Sequence, residues 1–516
     1  MSRTNSLIVK NAQIVSSEGE FGSVDAIYIE RGNIHSIGRW EEVKSRVPED
    51  VLVLDVKHAC VVPGLIDTHV HIAHTGQIIQ SVNLVEMKSI SDVLEAVHQA
   101  AESKFPGEII FCKQFDDYRM KEKRYPTLKE LDRVSPNNPV LIVHRTGHSS
   151  VLNTKAFERS KLPLETPGVV KDESGQPSGL LIAQANELWR DALEREIIAQ
   201  VGYDHLMRLV AQEAIRVGLT TIHALDDPDM IRVTQPILEE LPVRVLFYPQ
   251  TRQIEEARQL GMTRIGGCGR SGLDGDFGPM TAALLQPYAV DPANRGQLYF
   301  EDEELQAMVL EAHRLGMQVS MHAVGDRAVA QGLEAVEHAQ KAYPNQNARH
   351  RIEHWEVYNE ELARKAVELG VMVAIQPAFN HFWPHTGEYP ALMGEERIEL
   401  VDPIADLVHA GLVVAGGSDS PVTPLSPLLG MHSAVNHSNP KQRVTPKIAL
   451  EMFTTHAASI AFEESTKGTI AVGKYGDLTV LAENPLLVEP SRIKDISVLY
   501  TIVGGEVVYR NMENEH

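Results

Sequence analysis

The sequence predicts an α/β protein: a (β/α)8 TIM-type barrel, a small β-sandwich domain formed by both chain termini, and a lobe inserted after the first barrel strand. Three observations lead there. A helix, glycine, strand unit recurs along the chain, eight short apolar strands alternate with helical stretches, and both ends carry similar hairpin-rich β segments. At 516 residues the chain exceeds the size at which a single core stops growing, so one large domain and one smaller domain are expected.

In chain order, residues 7–55 contain short strands with hairpin signals, such as AIYIERGNIHSIG, whose Gly32-Asn33 suits a tight turn. The first barrel strand is read at DTHVH (67–71). The stretch from about His74 to Arg216 is too long for one crossover and carries strands of its own, EIIFCKQF (108–115) and PVLIVHR (139–145), which marks it as the lobe. Four helices then end in glycine and run into strands, at Gly218 (LTTIHAL), Gly316 (MQVSMHAV), Gly370 (VMVAIQP) and Gly411 (LVVAGGSDS). Glycine after a helix supplies the left-handed turn into the strand. In DEELQAMVLEAHRLG, Asp302 is placed to cap a helix whose apolar residues recur at helical spacing. VRVLFYP (243–249), the strand approaching Asp274 and RHRIEH (349–354) complete eight, the number that closes a barrel. DLTVLAENP and VLYTIVGGEVVYR return to hairpin-like β structure. The expected domains are therefore 1–60 with 468–516, and 61–467 with the lobe at about 74–216.

A net charge of −22 without a local basic cluster excludes a phosphate backbone as partner, so no nucleic acid is expected. Three cysteines, Cys60, Cys112 and Cys268, are far apart in sequence and form no C-x-x-C, as in a reducing compartment. The amino terminus lacks the unbroken apolar stretch of a signal peptide, and no later run is long enough to span a bilayer. A cytoplasmic protein that does not enter a membrane is expected, as a homodimer acting on a small-molecule substrate.

The chemistry starts in VVPGLIDTHVH. His69 and His71 are two residues apart at the end of an apolar run, and in a strand that spacing puts both imidazoles on one face, where they can meet a single divalent metal. The other metal-compatible residues fall at the C-terminal ends of barrel strands, the face on which active sites of this fold sit: His322 closes MQVSMH, His354 closes RHRIEH, and Asp419 follows LVVAGGS.

A linked series of motifs resembles the amidohydrolase superfamily, in the branch of YtcJ-like proteins and N-substituted formamide deformylases. It comprises PGLIDTHVH, LDGDFGPMTAALLQPY (273–288), HAVGDRAV (322–329), RIEHWEV (351–357), GGSDSPV (416–422) and GTIAVGKYGDLTVLAENP (468–485), and spans nearly the whole chain. The resemblance implies a distorted barrel with a sandwich built from both termini, one or two divalent metals, and hydrolysis at a C–N bond. Carried over by position, His69, His71, His322, His354 and Asp419 are the metal-site residues, and zinc is the expected ion.

Two departures from the family pattern qualify this. Many members carry a lysine, carboxylated to bridge two metals, four residues before the aspartate-glycine pair; here that pair is Asp274-Gly275 and the matching residue is Arg270. A guanidinium stays protonated and forms no carbamate. Strand alternation would put Cys268 on the face of Arg270, either as a substitute thiolate ligand or as a small buried hydrophobe. One ion is therefore expected, held by His69, His71, His322 and Asp419, with His354 orienting substrate or ligands. The second departure is Ala183 beside Gln184, where relatives often carry a glutamate.

His148, in HRTGHSS, either donates to a substrate oxygen, as the lobe of similar proteins suggests, or is a loop histidine bonded to backbone. Asp326 and Arg327 are read as capping the following helix and pairing locally. The expected reaction is hydrolysis of an N-acyl or N-formyl amine by metal-activated water, with Asp419 relaying the proton and His354 and His148 stabilising the oxyanion. The stretch QPAFNHFWPH (376–385) offers an apolar wall for substrate, or packs on itself. Two other readings stay open: a deaminase of a cyclic amidine-like substrate, and a regulatory or binding protein that keeps the barrel without turnover.

Overall fold

The computed structural model describes residues 6–16, 19–20, 24–48, 51–145, 147, 149–161, 163–385 and 389–512. Two compact units are formed, Met1–Ile72 with Val210–His516, and Ala73–Leu209.

The larger unit contains eight parallel strands interleaved with helices, the strand set of a TIM-barrel-type α/β fold. In chain order they are β1 (Leu65–Val70), β2 (Leu219–Asp226), β3 (Arg244–Pro249), β4 (Arg264–Gly267), β5 (Gln318–Ala323), β6 (Arg351–His354), β7 (Met372–Ile375) and β8 (Val414–Gly416). Every residue of LTTIHALD in β2 is buried, as a strand covered on both faces requires.

The strands lie in two ladders, β3-β2-β1 and β4-β5-β6-β7-β8. A parallel bridge between Val70 and Ser420 joins β1 to the chain leaving β8, where Asp419 N–H donates to His69 C=O at 2.8 Å and His71 N–H to Ser420 C=O at 2.9 Å. On the other side no ladder pairs β3 with β4 among the described residues, although Tyr248 Oη in β3 donates to Gln318 Oε1 in β5 at 2.8 Å.

Gly218, Gly316, Gly370 and Gly411 all have left-handed φ, from +67° to +93°, as their place between helix and strand demands. Local details differ from expectation at three points. The hairpin turns at Arg31-Gly32, both left-handed, because Asn33 is already paired with Glu30. Asp302 lies inside its helix behind Glu301 and accepts from Gln331 Nε2 at 2.7 Å. Gly325, not Asp326, precedes the helix Asp326–Ala342, and Asp326 accepts from Leu285 N–H at 2.8 Å. In the last two cases a partner distant along the chain outcompetes the local bond.

Both chain ends contribute to one six-stranded sheet, in which Leu478–Leu481 pairs antiparallel with Cys60–Pro63. A four-stranded sheet of residues 6–55 shares a core with it, including Leu7, Ile27, Val61, Leu478 and Ile502.

The smaller unit is built on a six-stranded mixed sheet that includes Ile110–Phe115 and Val140–His144. Its apolar side chains form two clusters, one with Ile110, Cys112 and Phe115, the other with Phe111, Leu141 and Trp189. Asn153 ties sheet to helix. Fully buried, it accepts from Val140 N–H (2.9 Å) and Ala156 N–H (3.0 Å) and donates to Ser135 C=O (3.1 Å) and Asn138 C=O (2.9 Å). Asn153→Ala removes a helix cap and the side-chain bonds to Val140, Ala156, Ser135 and Asn138, of which Asn138 C=O keeps Ser135 Oγ as donor, so the urea midpoint should fall by the equivalent of about 2 kcal/mol. No helix among the described residues is long and apolar enough to cross a membrane.

Candidate metal centre

The structure brings together His69, His71, His322, His354 and Asp419, all from the larger unit and all at or just beyond C-terminal strand ends. Their rings are close: His69 to His71 5.2 Å, His69 to His354 5.0 Å and His322 to His354 4.5 Å between centroids. Asp419 Oδ1 lies 3.0 Å from His71 Nε2 and 3.4 Å from His69 Nε2. Two donors about 2.1 Å from one tetrahedral ion stand about 3.4 Å apart, so these separations suit shared ligation. His148 lies outside the described residues.

Each imidazole is held from behind. His69 Nδ1 donates to Glu353 Oε2 at 2.7 Å, which turns Nε2 toward the centre. Glu353 is itself clasped by Arg351, whose Nη2 donates to Oε2 at 2.8 Å and to Thr68 C=O at 2.8 Å, and whose Nε donates to Oε1; Ser320 Oγ adds a bond to Oε1 at 2.6 Å. Both charged side chains are fully buried, and Arg351 stacks over the Tyr248 ring at 4.4 Å. His71 Nδ1 lies 2.8 Å from Leu225 C=O, and His354 Nδ1 lies 2.7 Å from Gln376 Oε1. Arg351, Glu353 and Gln376 were not anticipated. The signal available was weak: Arg351 and Glu353 share a strand face with each other, but their partner His69 is 284 positions from Glu353.

Backbone conformation at the site is unusual. His354 and Asp419 have φ of +72° and +53°, a region that side chains with a Cβ rarely occupy and that clusters at functional sites. Asp67 fixes the β1 end against the chain leaving β8, accepting from His69 N–H at 3.1 Å and Ser418 N–H at 2.9 Å.

The electrostatics are polarised. Burial favours neutral Asp419, but the adjacent His69 and His71 outweigh it and hold this carboxyl well below the usual range. Burial likewise opposes charge on His71, yet Asp419 carries it up to about 9. Burial pushes His322 down to about 4 and His354 well below its ordinary value, so both present neutral donor nitrogens.

The fourth strand differs from the expected geometry. β4 ends at Gly267, and residue 270 lies in a short 3-10 turn, Gly269–Ser271, so strand alternation does not relate residues 268 and 270. The side chain reaching the centre from this strand end is Cys268: Sγ lies 3.2 Å from His69 Nε2 and 3.4 Å from His354 Nε2. Gly266 and Gly267 make this possible. Both have strongly positive φ, and a Cβ on Gly266 would stand 2.0 Å from Ser320 C=O.

The residues fit a divalent cation. Asp419 Oδ1 and His322 Nδ1 are buried and make no hydrogen bond among the described residues, a costly arrangement for polar atoms that a metal would relieve. Three overlapping groups have donor atoms within 4.8 Å of one another: His69, His71 and Cys268; Cys268, His322 and His354; and His69, His354 and Asp419.

Comparison with known proteins agrees. The model of the amidohydrolase family matches residues 52–509. YtcJ of Bacillus subtilis (strain 168) is 26% identical over 94% of this chain and 96% of its own length, and N-substituted formamide deformylase of Arthrobacter pascens is 24% identical over 99% of each. The crystal structure of an uncharacterized metal-dependent hydrolase from Pyrococcus horikoshii OT3 superposes with a TM-score of 0.78 at 25% identity, covering 94% of this chain and 99% of that one. The chain belongs to the amidohydrolase family, in the branch that holds YtcJ and N-substituted formamide deformylase.

Proposed function

We propose that this protein is a metal-dependent hydrolase that cleaves the C–N bond of an N-acyl or N-formyl amine. The convergence of four imidazoles and Asp419 at strand ends carries the reading. His69, His71, His322, His354 and Asp419 would hold the metal, with zinc favoured by nitrogen-rich ligation. A bound ion supplies Lewis acidity, acidifying a water toward neutral pH and polarising the carbonyl.

The protein's own groups do the rest. Asp419, held ionised, takes the proton of the attacking water and passes it to the departing nitrogen. His354, held by Gln376 through Nδ1, keeps only Nε2 for the centre, where it either binds the ion or faces the developing oxyanion. Beyond it Phe379 lies parallel to the imidazole at 6.1 Å, and the neighbouring Phe382 and Trp383 keep 45% and 37% of their surface exposed, a wall suited to an apolar acyl or amine substituent.

The same reading takes the paired terminal sheets as a composite β-sandwich domain, residues 61–467 as a closed barrel, residues 74–216 as its inserted lobe, and the protein as a cytoplasmic homodimer; gel filtration with light scattering reads the last. The expectation of a single ion rests on Arg270 standing where relatives carry a bridging lysine; residue 270 lies past the end of β4, and Cys268 reaches the centre from that strand end.

A panel of N-formyl and N-acyl amines is the test. Release of acid and amine is expected, abolished by dialysis against a chelator and restored by Zn²⁺. Ammonia release from cyclic amidines alone would favour the deaminase reading, and retention of activity after complete metal removal would end this one.

A further inference from the structure

We propose that Cys268 supplies a thiolate shared by two metal ions, in the place a carboxylated lysine takes in relatives that carry one; this rests on the metal-dependent reading above. Cys268 is the residue common to a group from β1, His69 with His71, and a group from β5 and β6, His322 with His354. Its Sγ stands between them, 3.2 Å from one Nε2 and 3.4 Å from the other, distances that suit donors sharing an ion. The sulfur is not held there by chance of packing. Leu225 and Tyr248 cover its apolar side, while Gly266 and Gly267 bring the backbone against β5 and end the strand so that residue 268 points at the imidazoles.

The chemistry is consistent. A thiolate has enough lone pairs to bind two cations and brings one negative charge to a centre in which the imidazoles bring none. When the ions bind, the S–H bond breaks, its proton leaves to solvent, and the sulfur electron pairs form the metal–sulfur bonds; no oxidation state changes. One ion would then be held by His69, His71 and Asp419 with the sulfur, the other by His322 and His354 with the sulfur. A sulfur bridge also selects thiophilic ions such as zinc, cobalt and cadmium over magnesium. Arg270 loses its significance as a missing ligand, because the bridge comes from two residues earlier.

The test is a titration of the unmodified, metal-stripped protein with Co²⁺, followed by metal counting and absorption spectroscopy, neither of which depends on turnover. The expected result is two ions per chain and a sulfur-to-cobalt charge-transfer band in the near ultraviolet. In Cys268→Ser, with an unchanged thermal unfolding curve, the band should vanish and at least one of the two ions be lost. Cys268→Asp should regain the second ion without the band. Saturation at one ion, or two ions without the band in the unmodified protein, overturns the assignment and leaves the hydrolase reading standing. Failure to bind any Co²⁺ overturns both.

Discussion

Asp419→Asn is expected to lower hydrolysis by at least about a thousandfold while leaving the melting temperature near that of the unmodified protein. The loss has two sources. The amide cannot accept the proton of the attacking water, and it brings no negative charge to a cation flanked by neutral imidazoles. The fold should survive, because Asp419 is joined to β1 by its backbone N–H, which donates to His69 C=O at 2.8 Å and is untouched by the change. The carboxyl is depressed because His69 and His71 lie beside it, against burial that would raise it, so the unmodified side chain is ionised at neutral pH. Steady-state rates with a responsive N-acyl amine, alongside calorimetric melting, check both halves. Near-normal activity in this variant would remove Asp419 from the mechanism.

Arg351→Met is expected to be the most damaging single change to stability. It strips the guanidinium from a fully buried Glu353, leaving that carboxylate with Ser320 Oγ and His69 Nδ1 as its remaining donors. Breaking one side of a buried ion pair costs about 3–5 kcal/mol, more than the pair itself is worth, because the orphaned charge stays desolvated. Denaturant unfolding should show the loss. The double variant Arg351→Met, Glu353→Met should recover much of it by removing the stranded charge, yet remain inactive, since His69 Nδ1 then has no carboxylate to fix its ring. Recovery of activity in the double variant would show that Glu353 does not position His69.

Much of this was legible in the residues themselves. The H-x-H pair could be read because strand alternation is strictly local, His322 and Asp419 because each follows an apolar run that begins after a helix-terminating glycine, and His354 because it closes the short strand RHRIEH. The support behind them was not. Arg351 and Glu353 look like ordinary polar positions in RIEH, and only the approach of β1 to β6 shows that they hold His69. Gln376 opens a loop that reads as apolar, and its role follows from the orientation of His354. The caps expected from Asp302 and Asp326 failed for the same reason, each side chain being drawn to a partner on another segment.

Cys268 marks the boundary most clearly. From the residues alone, the family pattern put Arg270 in the lysine's place and strand alternation put Cys268 on the same face. The strand, however, ends at Gly267, where two consecutive glycines with positive φ let the chain pack against β5 and turn. Periodicity and turn chemistry determined the kinds of element, their order and the metal-binding character of this protein, because those depend on near neighbours along the chain. Which sulfur, carboxylate and amide meet at one point was decided only by packing of strands hundreds of residues apart, since a side chain's through-space partners follow from strand register and backbone turns that no local pattern encodes.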